Sequence, residues 1–463
     1  MAVKLIVQIV LARLLAPEEF GMLALMLVFV NIGNVIVQSG LNTALVQDPD
    51  VEDDDYSTVF WMSFVISLIL YGVIFFSAPY IANFYAMPAL VDPLRMLGFI
   101  LLINAYNAVQ IGKLTRDLEM KKIFLGTIVA SVVSSVLGIG SALAGLGIWA
   151  LAIQQLSYQF ANVVANAFQV DWHPRLVFRV GRAKKLFSFG WKLLISGLLN
   201  SVSQSLSNLI IGKQFSGYQL GLVSQGEKYP AALGSMLDGV IQPVMLSTIA
   251  KVQSDISYAR RIMRRALKTS TYLVFPVMGL FALVAPILVP LLLGDQWIES
   301  VPFFQLFCIA YALLPVHTTN LQTLVGMGRS DLFLRLEMVK IVVNVACILI
   351  AAFVFNDVYF LVGAYIIAAV ISMFINAFPN KRVVGYSFGA QIRDIGPSFL
   401  LTLAACGAAQ LVGLLSLTGL FFLIVQIFIF FVVYFGLSLL FRLEEFSYLV
   451  SEIGRKIPSR FSR

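Results

Sequence analysis

Charge is scarce in this chain. Only 12% of its 463 residues are charged, 59% are hydrophobic and the mean hydropathy is +0.90. Soluble domains carry about 25% charged residues, so a soluble catalytic domain is excluded. Cysteine is nearly absent as well. Cys308, Cys347 and Cys406 all lie in apolar runs, without metal-ligand spacing and too few for a closed disulfide framework; they read as small buried hydrophobes. The sequence has no Walker loop, no dinucleotide fingerprint and no His-Glu metal motif. Gly138-Ile139-Gly140 sits inside an apolar run, where glycine serves packing. No cofactor, no bound metal and no ATP hydrolysis are expected. The net charge of +8 would suggest a nucleic-acid partner if the basic residues formed one patch, but they are scattered among short loops. No cleavable signal peptide is evident, because the first apolar stretch runs into Arg13 without a small-residue cleavage site.

Long apolar runs are what the chain has instead. A spanning helix needs about 20 apolar residues. Fourteen candidate segments recur, at 1–15, 20–41, 58–79, 94–112, 123–144, 148–168, 186–212, 218–243, 269–293, 303–326, 338–355, 359–378, 397–414 and 420–441. They predict an all-α integral membrane protein. Assigning the loops alternately to two sides collects 25 of the 32 basic residues on one side, among them Lys113, Arg179, Arg182, Arg261, Arg264, Arg329 and Arg393. The positive-inside rule makes that side cytoplasmic and places both termini there. One segment on that side, 46–57, holds six acids and no base, and reads as a solvated acidic loop rather than a divalent-metal site. The first segment rises only about 22 Å, short of the hydrocarbon thickness, so the true start is expected upstream. The tail from Arg442 is charged and is expected to lie on the membrane surface.

An internal repeat is faintly visible. Shifting the chain by 200 residues sets Arg13 on Lys213, Gly21 on Gly221, Gln38 on Asp238, Lys4 on Gln204 and Gln8 on Asn208. A shift of 209 sets Pro93-Leu94 on Pro302-Phe303. The expected organisation is an N-lobe at 1–168, a basic linker at 169–185 and a C-lobe at 186–378. Accessory helices follow at 379–441, then the tail at 442–463. Two pseudo-repeated six-helix bundles in the same orientation put a binding site between them near the midplane.

Polar residues within the apolar segments form stripes: Asn31, Asn34 and Gln38; Asn104, Asn107 and Gln110; Gln155, Gln159, Asn162 and Asn166; Asn200, Gln204 and Asn208; His317 through Gln322. Interhelical hydrogen bonding explains any one of them, whereas five together favour a hydrated central cavity. Lys192, Glu227, Lys228 and Asp238 add charge at depth, and His317 reads either as a proton relay or as a hydrogen-bonded structural residue. Lys4, Arg13 and Lys340 lie near segment ends, where basic side chains reach the interface.

Several stretches resemble one family. They are LARLLAPEEFGMLAL at 11–25, ALVQ at 44–47, TVFW at 58–61, GIWALAIQQL at 147–156 and LFSFGWKLLISGLLN at 186–200. LIIGKQFSGYQLGLVSQGEKYP at 209–230, LLLGDQWIESVPFFQLF at 291–307 and GMGRSD at 326–331 complete the set. The chain resembles the Wzx-type polysaccharide-unit flippases, the colanic-acid-exporter-like branch of the multidrug/oligosaccharidyl-lipid/polysaccharide exporter superfamily. The resemblance implies two six-helix bundles, alternating access and an oligosaccharide on undecaprenyl pyrophosphate as substrate, with polysaccharide polymerase machinery as a partner. Such members commonly begin with a longer cytoplasmic stretch, which this chain lacks. With no nucleotide site, the drive would be a proton or sodium gradient, a substrate gradient or product removal. Amide and hydroxyl walls can replace sugar hydration, and a cation offsets pyrophosphate charge. The alternatives are a drug/cation antiporter or a lipid II flippase of the same superfamily and, more remotely, a membrane glycosyltransferase or polymerase.

Overall fold

The computed structural model describes residues 2–38, 40–48, 50–415, 419–448 and 451, with the side chains of 2–4, 189 and 415 left aside. Among the described residues every regular element is helical. Hydrocarbon offers no hydrogen bonds, so each apolar run must satisfy its own backbone. The α-helices are α1 (Ala2–Leu14), α2 (Pro17–Gln38), α3 (Leu41–Gln47), α4 (Asp53–Phe84), α5 (Val91–Arg116), α6 (Met120–Leu143), α7 (Ile148–Ala167), α8 (Val180–Gln214) and α9 (Gly217–Lys251). Then come α10 (Ile256–Leu293), α11 (Val301–Ala312), α12 (Leu314–Gly326), α13 (Ser330–Ile350), α14 (Val358–Ala377), α15 (Asn380–Val383), α16 (Phe388–Gln410) and α17 (Gly419–Leu440). The protein is thus a multi-pass membrane protein. Twelve helical stretches among the described residues are long and apolar enough to cross a bilayer. The two remaining expected segments are helical too, but α1 is short, and α7 carries Gln154, Gln155 and Gln159 in its middle.

Two compact units are formed, one of residues 1–224 with 292–296 and the other of 225–291 with 297–463. Helix ends depart from the expected ones in a consistent direction. α4 begins at Asp53 rather than 58, capped by Glu52 and Asp55 in a reciprocal box. α10 begins at Ile256, thirteen residues before the apolar run, and α16 runs straight through Pro397 from its N-cap Ser387. Hydropathy reports the bilayer thickness, while capping and ion pairs decide where a helix stops. The opposite error occurs at 303–326, which breaks at Leu313 because Pro315 cannot donate to the helix and crowds the preceding turn.

The acidic segment 46–57 is not a solvated loop. Arg179 bonds Glu52 and Asp54 at 2.5 Å each, and Arg182 clasps Asp55 at 2.9 and 2.5 Å. Lys185 reaches Asp48 at 3.0 Å and Lys113 reaches Asp53 at 3.5 Å. That hydrogen bond from Lys185 holds the Asp48 carboxyl below the usual carboxylate range, so its contribution is present at neutral pH and fades only as acid protonates it. Asp55 is fully buried, and losing one partner of such a pair typically costs about 3–5 kcal/mol. The stretch before α8 is tied down along α4 as well: Arg175 N donates to Ser57 Oγ, Arg179 N to Thr58 Oγ1, and Trp172 Nε1 to the Asp53 carbonyl. The acids and the basic linker neutralise each other although they lie more than a hundred residues apart, a pairing that no local sequence pattern announces.

Candidate functional site

In the first unit the polar stripes divide into two kinds. Those of α5 and α7 face inward and bond each other. Asn166 Nδ2 donates to Asn107 Oδ1 at 3.0 Å and to Asn162 Oδ1 at 2.9 Å, and all three side chains are buried. Asn104 Nδ2 donates to Asn34 Oδ1 at 2.9 Å, joining α5 to α2, and Gln8 donates to Gln154 at 3.3 Å, joining α1 to α7. These amides hold helices together. Gln155 and Gln159 lie half-buried on the neighbouring face of α7.

The stripes of α2 and α8 are of the second kind. Asn31 and Gln38 on α2, and Lys192, Asn200 and Gln204 on α8, are exposed, with Asn208 half-buried below them. Gln204 Nε2 donates to Asn200 Oδ1 at 3.0 Å, so the pair satisfies only part of its own demand. The two helices run antiparallel, with Gly40 against the backbone of Gly190 and Gly197 against Val35. That register sets Gln38 level with Lys192 and Asn31 level with Asn200. An amide facing hydrocarbon without partners costs several kcal/mol. Lipid contact is met instead by the adjacent exposed face of α8, formed by Trp191, Ile195, Leu199 and Val202. The α2–α8 stripe is therefore a face built for water or for polar ligand groups.

The second unit gathers the deeper ionisable residues along α9. Tyr311 of α11 donates its hydroxyl to Glu227 Oε1 at 2.8 Å. Lys228, half-buried, follows on the next face, and Tyr229 stacks on Phe304 with centroids 6.5 Å apart. Asp238, about three turns further on from Glu227–Lys228, is hydrogen-bonded by Thr318 of α12. His317 Nδ1 lies 3.1 Å from Asn376 Nδ2, an arrangement that makes Nδ1 the acceptor. Beside it is a buried amide knot: Asn320 bonds Gln391 in both directions at 2.9 and 3.0 Å, and Asn380 Nδ2 donates to Asn320 Oδ1 at 2.8 Å. Tyr311, Asn376 and Gln391 are partners that the sequence does not announce, since each comes from a separate helix.

The 200-residue shift acquires a physical form in the first unit. Gly21 packs on the carbonyl of Gly217 so closely that a Cβ would collide with it, and Gly221 packs in the same way on the carbonyl of Pro17. Positions 17 and 217, like 21 and 221, are related by the shift, so the contact is reciprocal. Arg13 and Lys213 repeat the pattern. Arg13 Nε donates to the Leu292 carbonyl at the end of α10, and Lys213 Nζ to the Phe84 carbonyl at the end of α4. Each basic side chain caps the C-terminus of a helix, where the backbone leaves carbonyls unpaired. The spacing of Gly217 and Gly221 by four, a small-residue pair one helical turn apart, is the signal from which this contact was legible.

The fold is an all-helical, multi-pass membrane fold among the described residues. The chain matches a solved structure titled lipid II flippase MurJ, inward closed conformation, with a TM-score of 0.77 over 95% of this chain and 96% of that one. Identity there is 13%, so the likeness concerns the fold alone. Residues 10–302 match the family described as polysaccharide biosynthesis protein, and the chain belongs to that family. Among curated relatives, the succinoglycan biosynthesis transport protein ExoT of Rhizobium meliloti (strain 1021) is 23% identical over 73% of this chain and 69% of its own. The lipopolysaccharide biosynthesis protein WzxC of Escherichia coli (strain K12) is 22% identical over 88% of this chain and 83% of its own.

Proposed function

We propose that this protein is a flippase that carries an oligosaccharide on undecaprenyl pyrophosphate across the bacterial cytoplasmic membrane by alternating access, for surface polysaccharide assembly. The observation that carries the proposal is the exposed amide face of α2 and α8, beside an exposed apolar face of the same helix. Sugars leaving water need donors and acceptors to replace it, while the polyprenyl tail stays in lipid. Lys192, Lys228, Glu227, Asp238 and His317 are assigned to the substrate path or its coupling to a proton or sodium gradient. The lobes at 1–168 and 186–378 are the units of the repeat, and a polysaccharide polymerase receives the product.

Replacing Gln204 and Asn208 together by leucine tests the reading. Both changes make α8 more apolar, so insertion should be intact while glycan export falls several-fold and the lipid-linked intermediate accumulates on the inner leaflet. Wild-type export with both leucines in place would remove the α8 face from the substrate path.

The fourteen-span orientation with cytoplasmic termini has its own check. Lys184 and Ile298 are both exposed, whereas Trp297 beside the latter is buried. Cysteine at 298 should label in intact cells, and cysteine at 184 only after permeabilisation. Labelling of both from outside would overturn the orientation.

A further inference from the structure

The first three turns of α10 carry Arg260, Arg261, Arg264, Arg265 and Lys268, basic pairs repeating at one-turn intervals. Immediately after Lys268 the helix becomes apolar and spanning, so this charge sits where the bilayer surface begins. A cavity of about 750 Å³ opens there, between the start of α10, the turn at Val384–Tyr386 and the start of α16. Four arginines, Arg260, Arg261, Arg264 and Arg393, face a single carboxylate, Asp394. Asp394 is already engaged: Arg264 donates two bonds of 2.8 Å to its oxygens and the Tyr386 hydroxyl a third of 2.7 Å.

Arg260 and Arg393 have no carboxylate within ion-pair distance among the described residues, and Arg261 lies 5.3 Å over the ring of Tyr258. The Arg260 guanidinium passes beside Gly385, whose φ of +70° suits glycine. A cavity with surplus guanidinium at headgroup depth, lined also by Tyr386, matches one chemistry. Guanidinium forks pair with phosphate oxygens in two parallel bonds, and tyrosine favours the headgroup level.

We infer that this cavity binds the phosphate of an anionic phospholipid headgroup from the surrounding bilayer. The site is separate from the α2–α8 face and does not depend on the flippase reading. Free phosphate offers the same oxyanion without the acyl chains, so the assay must tell the two apart.

Purified full-length protein, titrated with phosphatidylglycerol and observed by native mass spectrometry, reads the occupancy. Arg260→Gln with Arg393→Gln should lower phosphatidylglycerol association on the order of tenfold, since each basic residue near an anionic surface contributes appreciably. Arg393→Gln alone should fall between. Arg329→Gln, at an exposed pair with Asp331 elsewhere, is the matched loss of charge and should bind like wild type. Phosphatidylcholine should bind weakly to all, and millimolar inorganic phosphate should leave the lipid in place. The variants keep the Arg264–Asp394–Tyr386 bonds, so an unchanged melting midpoint is expected with them. Undiminished phosphatidylglycerol binding by the double variant would overturn the inference. So would equal binding of phosphatidylcholine, or full displacement by inorganic phosphate.

Discussion

Export of glycan in a Lys228→Gln variant is expected to fall tenfold or more at equal protein level, while Lys228→Arg keeps a substantial fraction. Lys228 lies eleven residues into α9, about 16 Å along the helix, which is half the hydrocarbon thickness if the span starts at Gly217. A lysine at that depth is costly and faces a partner or a wet path. The adjacent carboxylate, Glu227, points about 100° away around the helix and receives the Tyr311 hydroxyl. On the proposed substrate path a cation at this depth would meet the pyrophosphate as it crosses, and arginine preserves that charge whereas glutamine does not. Equal export by the two variants would take Lys228 off the substrate path and leave it a structural residue.

Adding one methyl group at Gly21 or at Gly221 should have the largest effect on stability. In each case the new Cβ meets a backbone carbonyl, that of Gly217 or of Pro17, which cannot rotate aside as a side chain can. Overpacking of a rigid contact costs about 1–3 kcal/mol, and a backbone-to-backbone clash sits at or above the upper end. Gly21→Ala and Gly221→Ala should therefore lower the melting midpoint of the purified protein by several degrees and reduce its yield. Gly72→Ala in α4 and Gly140→Ala in α6 are the controls, since a Cβ at either meets nothing within 4 Å. There the midpoint should hold or rise slightly, alanine being the better helix former. Identical midpoints for all four variants would show that α2 and α9 do not meet at their glycines.

What the sequence by itself determined follows from the bilayer. A spanning helix must be apolar over a known length, so composition alone located the apolar helices, twelve of them long and apolar enough to span among the described residues, and the polar stripes within them. The pairings of Gly21 with Gly221 and of Arg13 with Lys213 were legible too, as positions of equal polarity 200 residues apart. Only the tertiary structure decided what those positions touch. Asn107, Asn162 and Asn166 look like Asn200, Gln204 and Asn208 in the sequence, yet the first three bond one another in the packed interior while Asn200 and Gln204 stand exposed. The acids of 46–57 are drawn to Arg179, Arg182 and Lys185 by a fold that brings α4 and α8 together. The physical reason is one of range. Hydropathy is a property of each residue and its neighbours along the helix, whereas a hydrogen bond or ion pair belongs to two residues whose separation in space is set by how the helices pack.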